Sequence, residues 1–271
     1  MKRLATILLG GILVAMAALA GLRAISRSMM FPGDSTPLPD PEHLTQLGLG
    51  ILDATTAEGL PLRGVFRAPT GAAAPVILFF HGNAESAARN IDLAVALGRK
   101  GWGVALAEYR GYGSMPGTPT EAGLYEDGEA ALRFLDTQGI PPARVVIVGR
   151  SLGTGVATEL AERGYGRALV LVSPFTSMVD MGRSMVGPLA RLAVGDRFDN
   201  AAKAPRIRIP TLVIHGTQDE VVPFRMGEAL AAHFPHARFF PLPGVGHNDI
   251  QDLAALLTRE IPMLVARAGP E

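Results

Sequence analysis

Eight apolar runs of strand length recur along the chain: residues 49–54, 60–68, 76–80, 102–109, 145–148, 168–172, 211–214 and 237–242. Helical patterns separate most of the later ones, at 86–100, 121–137, 154–163 and 224–233. A strand buried on both faces reads as a continuous apolar run, and strands alternating with helices build a mostly parallel sheet covered on both sides. The chain is therefore expected to be α/β, with eight strands. The first two runs, joined by a short Thr-Ala-Glu-Gly turn, are expected to form an antiparallel hairpin at one edge. One helix start carries its own signal: Thr118 and Glu121 have capping-box spacing, with Pro119 at the first helical position. Glu121 and Asp127 are accordingly read as structural.

Within this pattern, VVIVGRSLGTGVATEL at residues 145–160 leaves Ser151 between Gly149 and Gly153, where a strand ends and a helix begins. A turn that tight crowds the backbone around the serine, and small residues two before and two after it relieve the crowding. In a chain with 32 glycines the G-x-S-x-G spacing alone is a weak signal; the strand–turn–helix context strengthens it. A phosphate-cradling loop would need a lysine in G-x-x-x-x-G-K-[ST], and none is present here.

A nucleophilic serine needs a base, an acid to orient it and donors for an oxyanion, and in this kind of sheet the order is serine, acid, histidine. His247 lies just beyond the last strand, in a loop loosened by Gly244 and Gly246. Asp219 follows the strand at 211–214; Glu220 and Asp249 are neighbouring alternatives, and Asp219 is preferred because it falls nearer the strand's end. His215, still at that end, is read as structural. His81-Gly82-Asn83 directly follows the strand at 76–80, as does the loop that supplies one oxyanion N–H; Leu152, after the nucleophile, supplies the other.

The remaining features bound the biology. Formal net charge is zero, so no nucleic-acid partner is advertised. With no cysteine, and no H-E-x-x-H among six histidines, neither a metal nor a cofactor is expected. Residues 1–23 carry Lys2 and Arg3 ahead of an apolar, uncharged run from Leu4 to Leu22, close to the ~20 residues a spanning helix needs. The segment reads as a membrane anchor, or alternatively as a signal cleaved after Ala18-Leu19-Ala20, with the main domain exported in either case. Residues 24–44 are rich in proline and read as a linker or an extended arm, and residues 45–271 as the globular domain. A long irregular insertion at about 174–209 carries Met178, Met181, Met185, Leu189 and Leu192 at helical spacing, either a helix packed on the body or a cap over an acyl pocket.

Taken together, HGNA at 81–84, YRGYGSMPGTPTEAGLYED at 109–127, GRSLGTGVA at 149–157, SPFTSM at 173–178, IPTLVIHGTQDEVVP at 209–223 and GVGHND at 244–249 resemble the α/β-hydrolase superfamily, and within it the Bem46-like and ABHD13-like branch grouped with serine aminopeptidase-type domains. The resemblance runs from about residue 45 onward. It implies the α/β-hydrolase fold, with Ser151, Asp219 and His247 at the triad positions and Asn83 and Leu152 at the oxyanion hole, and it favours the uncleaved anchor. Two positions depart from the branch: Glu108 stands where it usually has aspartate, and Glu85 where it usually has glycine. Glu85 is expected to narrow or charge the pocket mouth. The function expected is a serine hydrolase acting on a small or lipid-like acyl ester or thioester; the alternatives are an aminopeptidase-like amidase and a non-catalytic membrane-anchored scaffold.

Overall fold

The computed structural model describes residues 2–266. A long helix, α1 (Lys2–Met30), leads the chain, and a short one, α2 (Pro41–Gln46), precedes the sheet. The body then runs β1 (Gly50–Thr55), β2 (Pro61–Arg67), β3 (Val76–Phe80), α3 (Ile91–Gly98), β4 (Gly103–Ala107), α4 (Glu121–Thr137), β5 (Val145–Arg150), α5 (Gly153–Glu162) and β6 (Ala168–Val172). After β6 come three short helices, α6 (Met178–Val186), α7 (Ala190–Ala193) and α8 (Asn200–Lys203), followed by β7 (Thr211–Gly216), α9 (Phe224–Ala231), β8 (Ala237–Leu242) and α10 (Leu253–Ala266).

The strands form one eight-stranded sheet in the order β1-β2-β4-β3-β5-β6-β7-β8. β1 and β2 are the expected edge hairpin, β2 pairs antiparallel with β4, and every later pairing is parallel. Strand side chains alternate between faces, so each apolar run feeds two cores. Val76, Leu78 and Phe80 of β3 join Val145 and Ile147 of β5 under α4 and α5. Ile77, Phe79, Val146 and Val148 face the other way, toward Leu97 of α3 and Leu257 and Ile261 of α10. The parallel strands consequently deliver their carboxyl ends, and the loops that follow them, to one rim of the sheet.

Several local expectations are corrected. The cap of α4 is Thr120, not Thr118: its backbone is extended (φ −143°, ψ 159°) and its hydroxyl accepts from the Gly123 N–H at 3.0 Å. Pro119 therefore precedes the helix, and the Glu121 carboxylate instead accepts from the Tyr125 hydroxyl and the Arg197 N–H. Of the segment after residue 23, the first part is helical and residues 31–40 run as an extended arm. Helix α1 continues unbroken to Met30, Phe31 is buried, Asp34 pairs with Arg89, and Asp40 caps α2. The methionine stripe at 178–192 does not lie on one helix. Gly187 adopts φ +70° and Pro188 follows it, so α6 stops at Val186 and a single 3-10 turn leads into α7, leaving Leu189 and Leu192 exposed. The side chain of Met185 lies outside the described residues.

Asp127, read as structural, anchors the loop after β4. Its carboxylate accepts from the Arg110 backbone N–H (2.9 Å) and from the Arg110 guanidinium (2.9 and 3.0 Å), which also reaches Glu58 and Glu126. Gly123 makes room for it, since a methyl there would collide with the arginine's Cδ. Removing one member of a buried pair leaves the other charge uncompensated, so Arg110→Met is expected to destabilise the fold by about 3–5 kcal/mol, measured as a shift in the urea midpoint at unchanged m-value.

Candidate active site

Four loops meet at the rim, and the sharpest is the turn from β5 into α5. Ser151 sits there at φ +50°, a left-handed conformation unusual for a residue with a side chain. Its N–H donates to the Val172 carbonyl at 2.9 Å, locking the turn to β6. A methyl group on Gly149 would run into the backbone of Gly153, and one on Gly153 would run into the carbonyl oxygens of Phe80 and His81. Backbone touches backbone on both sides of the serine, which is why the sequence has glycine at both places.

Ser151 Oγ lies 3.1 Å from His247 Nε2, and His247 Nδ1 lies 2.8 Å from Asp219 Oδ2. A carboxylate only accepts hydrogen bonds, so the proton of a neutral His247 belongs on Nδ1, and Nε2 is left to accept from the serine hydroxyl. Asp219 leaves the end of β7 and is held on both oxygens. Oδ1 accepts from the N–H groups of Val221 (3.0 Å) and Val222 (2.7 Å), while Oδ2 faces His247 and His215 Nε2 (3.2 Å). Burial works against its ionisation; hydrogen bonds from His215, His247 and Val222, with an electrostatic contribution from His247, outweigh that and hold the carboxyl well below the usual carboxylate range. The stability this contributes is present above the unfolded value of about 3.9 and is lost only as pH falls through the lower folded value, so Asp219 stays ionised at neutral and mildly acidic pH.

The neighbouring acids have other partners. Glu220 accepts from the His247 backbone N–H at 3.3 Å, and Asp249 accepts from the Gly246 N–H at 3.2 Å. Gly216 allows the histidine loop to close on β7, because a methyl there would strike the carbonyl of Val245.

The loop after β3 brings Asn83 beside Ser151. The Asn83 side-chain oxygen accepts from the Tyr112 hydroxyl at 3.0 Å. Leu152, buried at the start of α5, flanks the serine on the other side. A buried pair, His81 and Glu108, sets this loop in place. His81 Nε2 meets Glu108 Oε1 at 2.7 Å, both side chains almost fully buried, and the second Glu108 oxygen accepts from the Ala87 N–H. The signal was an acid directly after β4 facing a histidine directly after β3, visible only once those strands are known to be neighbours. His215 does the corresponding work for the acid: four residues before Asp219, it donates from Nε2 toward both the Val222 carbonyl (2.9 Å) and the carboxylate.

Glu85 does not charge the pocket mouth. One of its oxygens pairs with Arg150 at 2.7 Å and the other accepts from the Gly82 N–H, while Arg150 also reaches Asn248 beside His247. It links the loops around the serine and is neutralised in doing so. The cavity that opens beside Ser151, of about 370 Å³, is lined almost entirely by apolar groups, Phe175, Met178 and Met181 among them, and among the described residues no charged one lines it.

The comparisons with known proteins agree with this architecture. Residues 71–197 match the family described as serine aminopeptidase, S33, and residues 187–252 match the alpha/beta hydrolase fold family. An uncharacterized protein of Mycobacterium tuberculosis, Rv2307c, is 36% identical over 242 residues, which cover 88% of this chain and 85% of that protein. The human alpha/beta hydrolase domain-containing protein 17B is 38% identical over 188 residues, 68% of this chain and 64% of its own length. Among solved structures, the Pyrococcus furiosus esterase Pf2001 superposes with a TM-score of 0.68 at 16% identity, over 88% of this chain and 100% of that one, a likeness of fold. From its strand order, its glycine-flanked serine turn and these relatives, the chain belongs to the α/β-hydrolase superfamily.

Proposed function

We propose that the protein is a serine hydrolase that cleaves carboxylic esters, thioesters included, through an acyl-enzyme intermediate. Ser151 Oγ adds to the substrate carbonyl while its proton passes to His247 Nε2, with Asp219 stabilising the imidazolium from behind. The backbone N–H groups of Asn83 and Leu152 donate to the oxyanion; neither has an intramolecular acceptor among the described residues. Collapse of the tetrahedral adduct breaks the bond to the leaving oxygen or sulfur, which takes the proton from His247. Water then gives its proton to His247, adds to the acyl carbonyl, and the proton returns to Ser151 as the acid departs. Losing one such oxyanion donor costs about 2.7–4 kcal/mol in comparable sites.

The observation that carries this reading is the unbroken sequence of hydrogen bonds Ser151–His247–Asp219 at 3.1 and 2.8 Å, opening on an apolar cavity. The cavity also weighs against the aminopeptidase alternative. A substrate's charged α-amino group would need a carboxylate beside the serine, and Glu85, on the loop after β3, is paired with Arg150. The domain organisation proposed is an N-terminal anchor followed by an exported hydrolase domain. Its support is that α1 carries an apolar, membrane-length stretch within Leu9–Met30, of mean hydropathy 1.8, whose side chains are left exposed rather than buried in the body.

A fluorophosphonate is expected to label the wild-type chain and not Ser151→Ala; equal labelling of both, or of neither, overturns the assignment of the nucleophile. Asp219→Asn keeps the shape but favours the wrong histidine tautomer, so kcat for a short acyl ester is expected to fall by roughly 10³–10⁴-fold. Glu220→Gln, which touches only the histidine's backbone, is expected to change kcat by less than about tenfold. If the two substitutions exchange effects, Glu220 is the acid instead.

A further inference from the structure

One wall of the cavity beside Ser151 is built by α1. Leu22, Ile25, Met29 and Met30 line it opposite Met178 and Met181 of α6. The spacing from 22 to 25 to 29 puts these residues on one face of the helix. The helix is held there by specific contacts. Arg27 Nε pairs with Asp196 Oδ2 at 3.0 Å, and the other Asp196 oxygen accepts from the Glu121 N–H at 2.9 Å, so one carboxylate ties α1 to the first turn of α4. Arg23 donates to the Leu192 carbonyl at 3.3 Å, and Phe31 packs edge-on against Phe198.

Two features of α1 do not suit a simple tether. A helix of 29 residues is about 43 Å long, whereas a hydrocarbon core is only about 30 Å thick. If the uncharged stretch ending at Leu22 occupies the bilayer, the last turns, from Leu22 to Met30, emerge at its surface and are the turns that line the cavity. Secondly, the groove is unfinished on its outer side. Leu22, Ile25 and Met29 remain exposed although they line it, and the neighbouring Leu189, Leu192 and Val221 are exposed as well. An apolar surface this continuous, running from a membrane-length helix to the mouth of a reactive-serine pocket, is one that a lipid phase would cover.

The direction of the groove follows from the chain. Gly113 donates its N–H to the Asp34 carbonyl, just past α1, and Tyr112 donates its hydroxyl to Asn83. The C-terminal end of α1 thus lies at the catalytic end and Leu22 lies toward the bilayer. Leu22 to Met30 spans about 12 Å along the helix axis, room for roughly nine or ten carbons of an extended chain with bonds near 1.5 Å.

We infer that α1 is the acyl-chain wall of the active site as well as its anchor, and that the substrate is a long-chain acyl lipid whose chain slides along α1 from the membrane holding the enzyme. The inference rests on Ser151 being the nucleophile, as proposed above, and adds where the acyl chain lies and where it comes from.

The test uses the full chain in phosphatidylcholine vesicles. A decyl fluorophosphonate carrying a terminal diazirine is allowed to react at Ser151 and is then irradiated. Cross-links are expected between residues 22 and 30; cross-links confined to residues 178–194, or to the rest of the body, overturn the placement. Failure of the probe to react at Ser151 counts instead against the nucleophile assignment, so the two failures are distinct. In Ile25→Trp, which narrows the groove, the ratio of kcat/KM for hexadecanoyl over butanoyl esters is expected to fall by at least about tenfold. A ratio within about twofold of wild type, in a variant that still reacts with a short fluorophosphonate, overturns the wall. A hexadecanoyl glycerolipid is expected to be hydrolysed when it shares the enzyme's vesicles and spared when confined to a second vesicle population; equal rates overturn delivery from the membrane.

Discussion

The contact on which the site depends is one of backbone against backbone, where the start of α5 crosses the ends of β3 and β5. Gly149, Gly153 and the carbonyls of Phe80 and His81 approach so closely that no side chain fits between them. This crowding keeps the turn short and holds Ser151 at φ +50°. A longer turn would relax the residue into an ordinary conformation and let the hydroxyl swing. The backbone cost of the left-handed conformation, of order 1–3 kcal/mol, is borne by the packed sheet on either side. The residues responsible for the geometry thus have no chemistry of their own.

The acid side of the site follows the same logic with hydrogen bonds in place of packing. Every oxygen lone pair of Asp219 that matters is committed: two backbone N–H groups hold one oxygen and two imidazoles face the other. A carboxylate so fully satisfied keeps its charge despite burial and cannot rotate, so His247 inherits a fixed direction. His215 acts as a positioning residue here. It touches no reacting atom, yet its ring occupies the space that Gly227 leaves open and directs Nε2 toward Asp219. On the opposite side of the serine, the His81–Glu108 pair does the equivalent for the loop after β3.

Much of this was legible in the sequence because it depends on order along one chain. All eight strands fall within two residues of their expected limits, since runs such as Val-Ile-Leu-Phe-Phe at 76–80 are buried on both faces and leave no ambiguity of period. Ser151, Asp219 and His247 were readable for a related reason: each lies within five residues after the end of a parallel strand, so the sheet's topology brings all three to the same rim. What failed to show was anything decided between elements. Thr118 and Thr120 offer the same cap chemistry, and the choice between them is made by where the loop after β4 hands the chain to α4. Glu85 looked free to charge the pocket because Arg150, its partner, lies beyond the next strand-pair boundary. The methionine spacing at 178–192 suggested a single helix until Gly187 and Pro188 interrupted it.

The largest such gap concerns α1, whose sequence is dominated by its own hydropathy. A run like Leu4 to Leu22 is fully explained by a bilayer, and nothing in its composition points to a second task. The explanation stops at Arg23. Beyond it the helix continues through two arginines, and these bind inward, to Leu192 and Asp196, rather than being left to lipid headgroups. A tether needs freedom at that point; a wall needs rigidity. The salt bridge from Arg27 to Asp196, relayed to the first turn of α4, makes the orientation of the catalytic domain relative to α1 part of the fold. If α1 stands in a bilayer, that orientation directs the open side of the groove at the membrane surface. On the proposed placement of the acyl chain, a rim built in this way would gain selectivity without a dedicated lid, because a chain not already held in the lipid phase would have to cross water to reach Ser151.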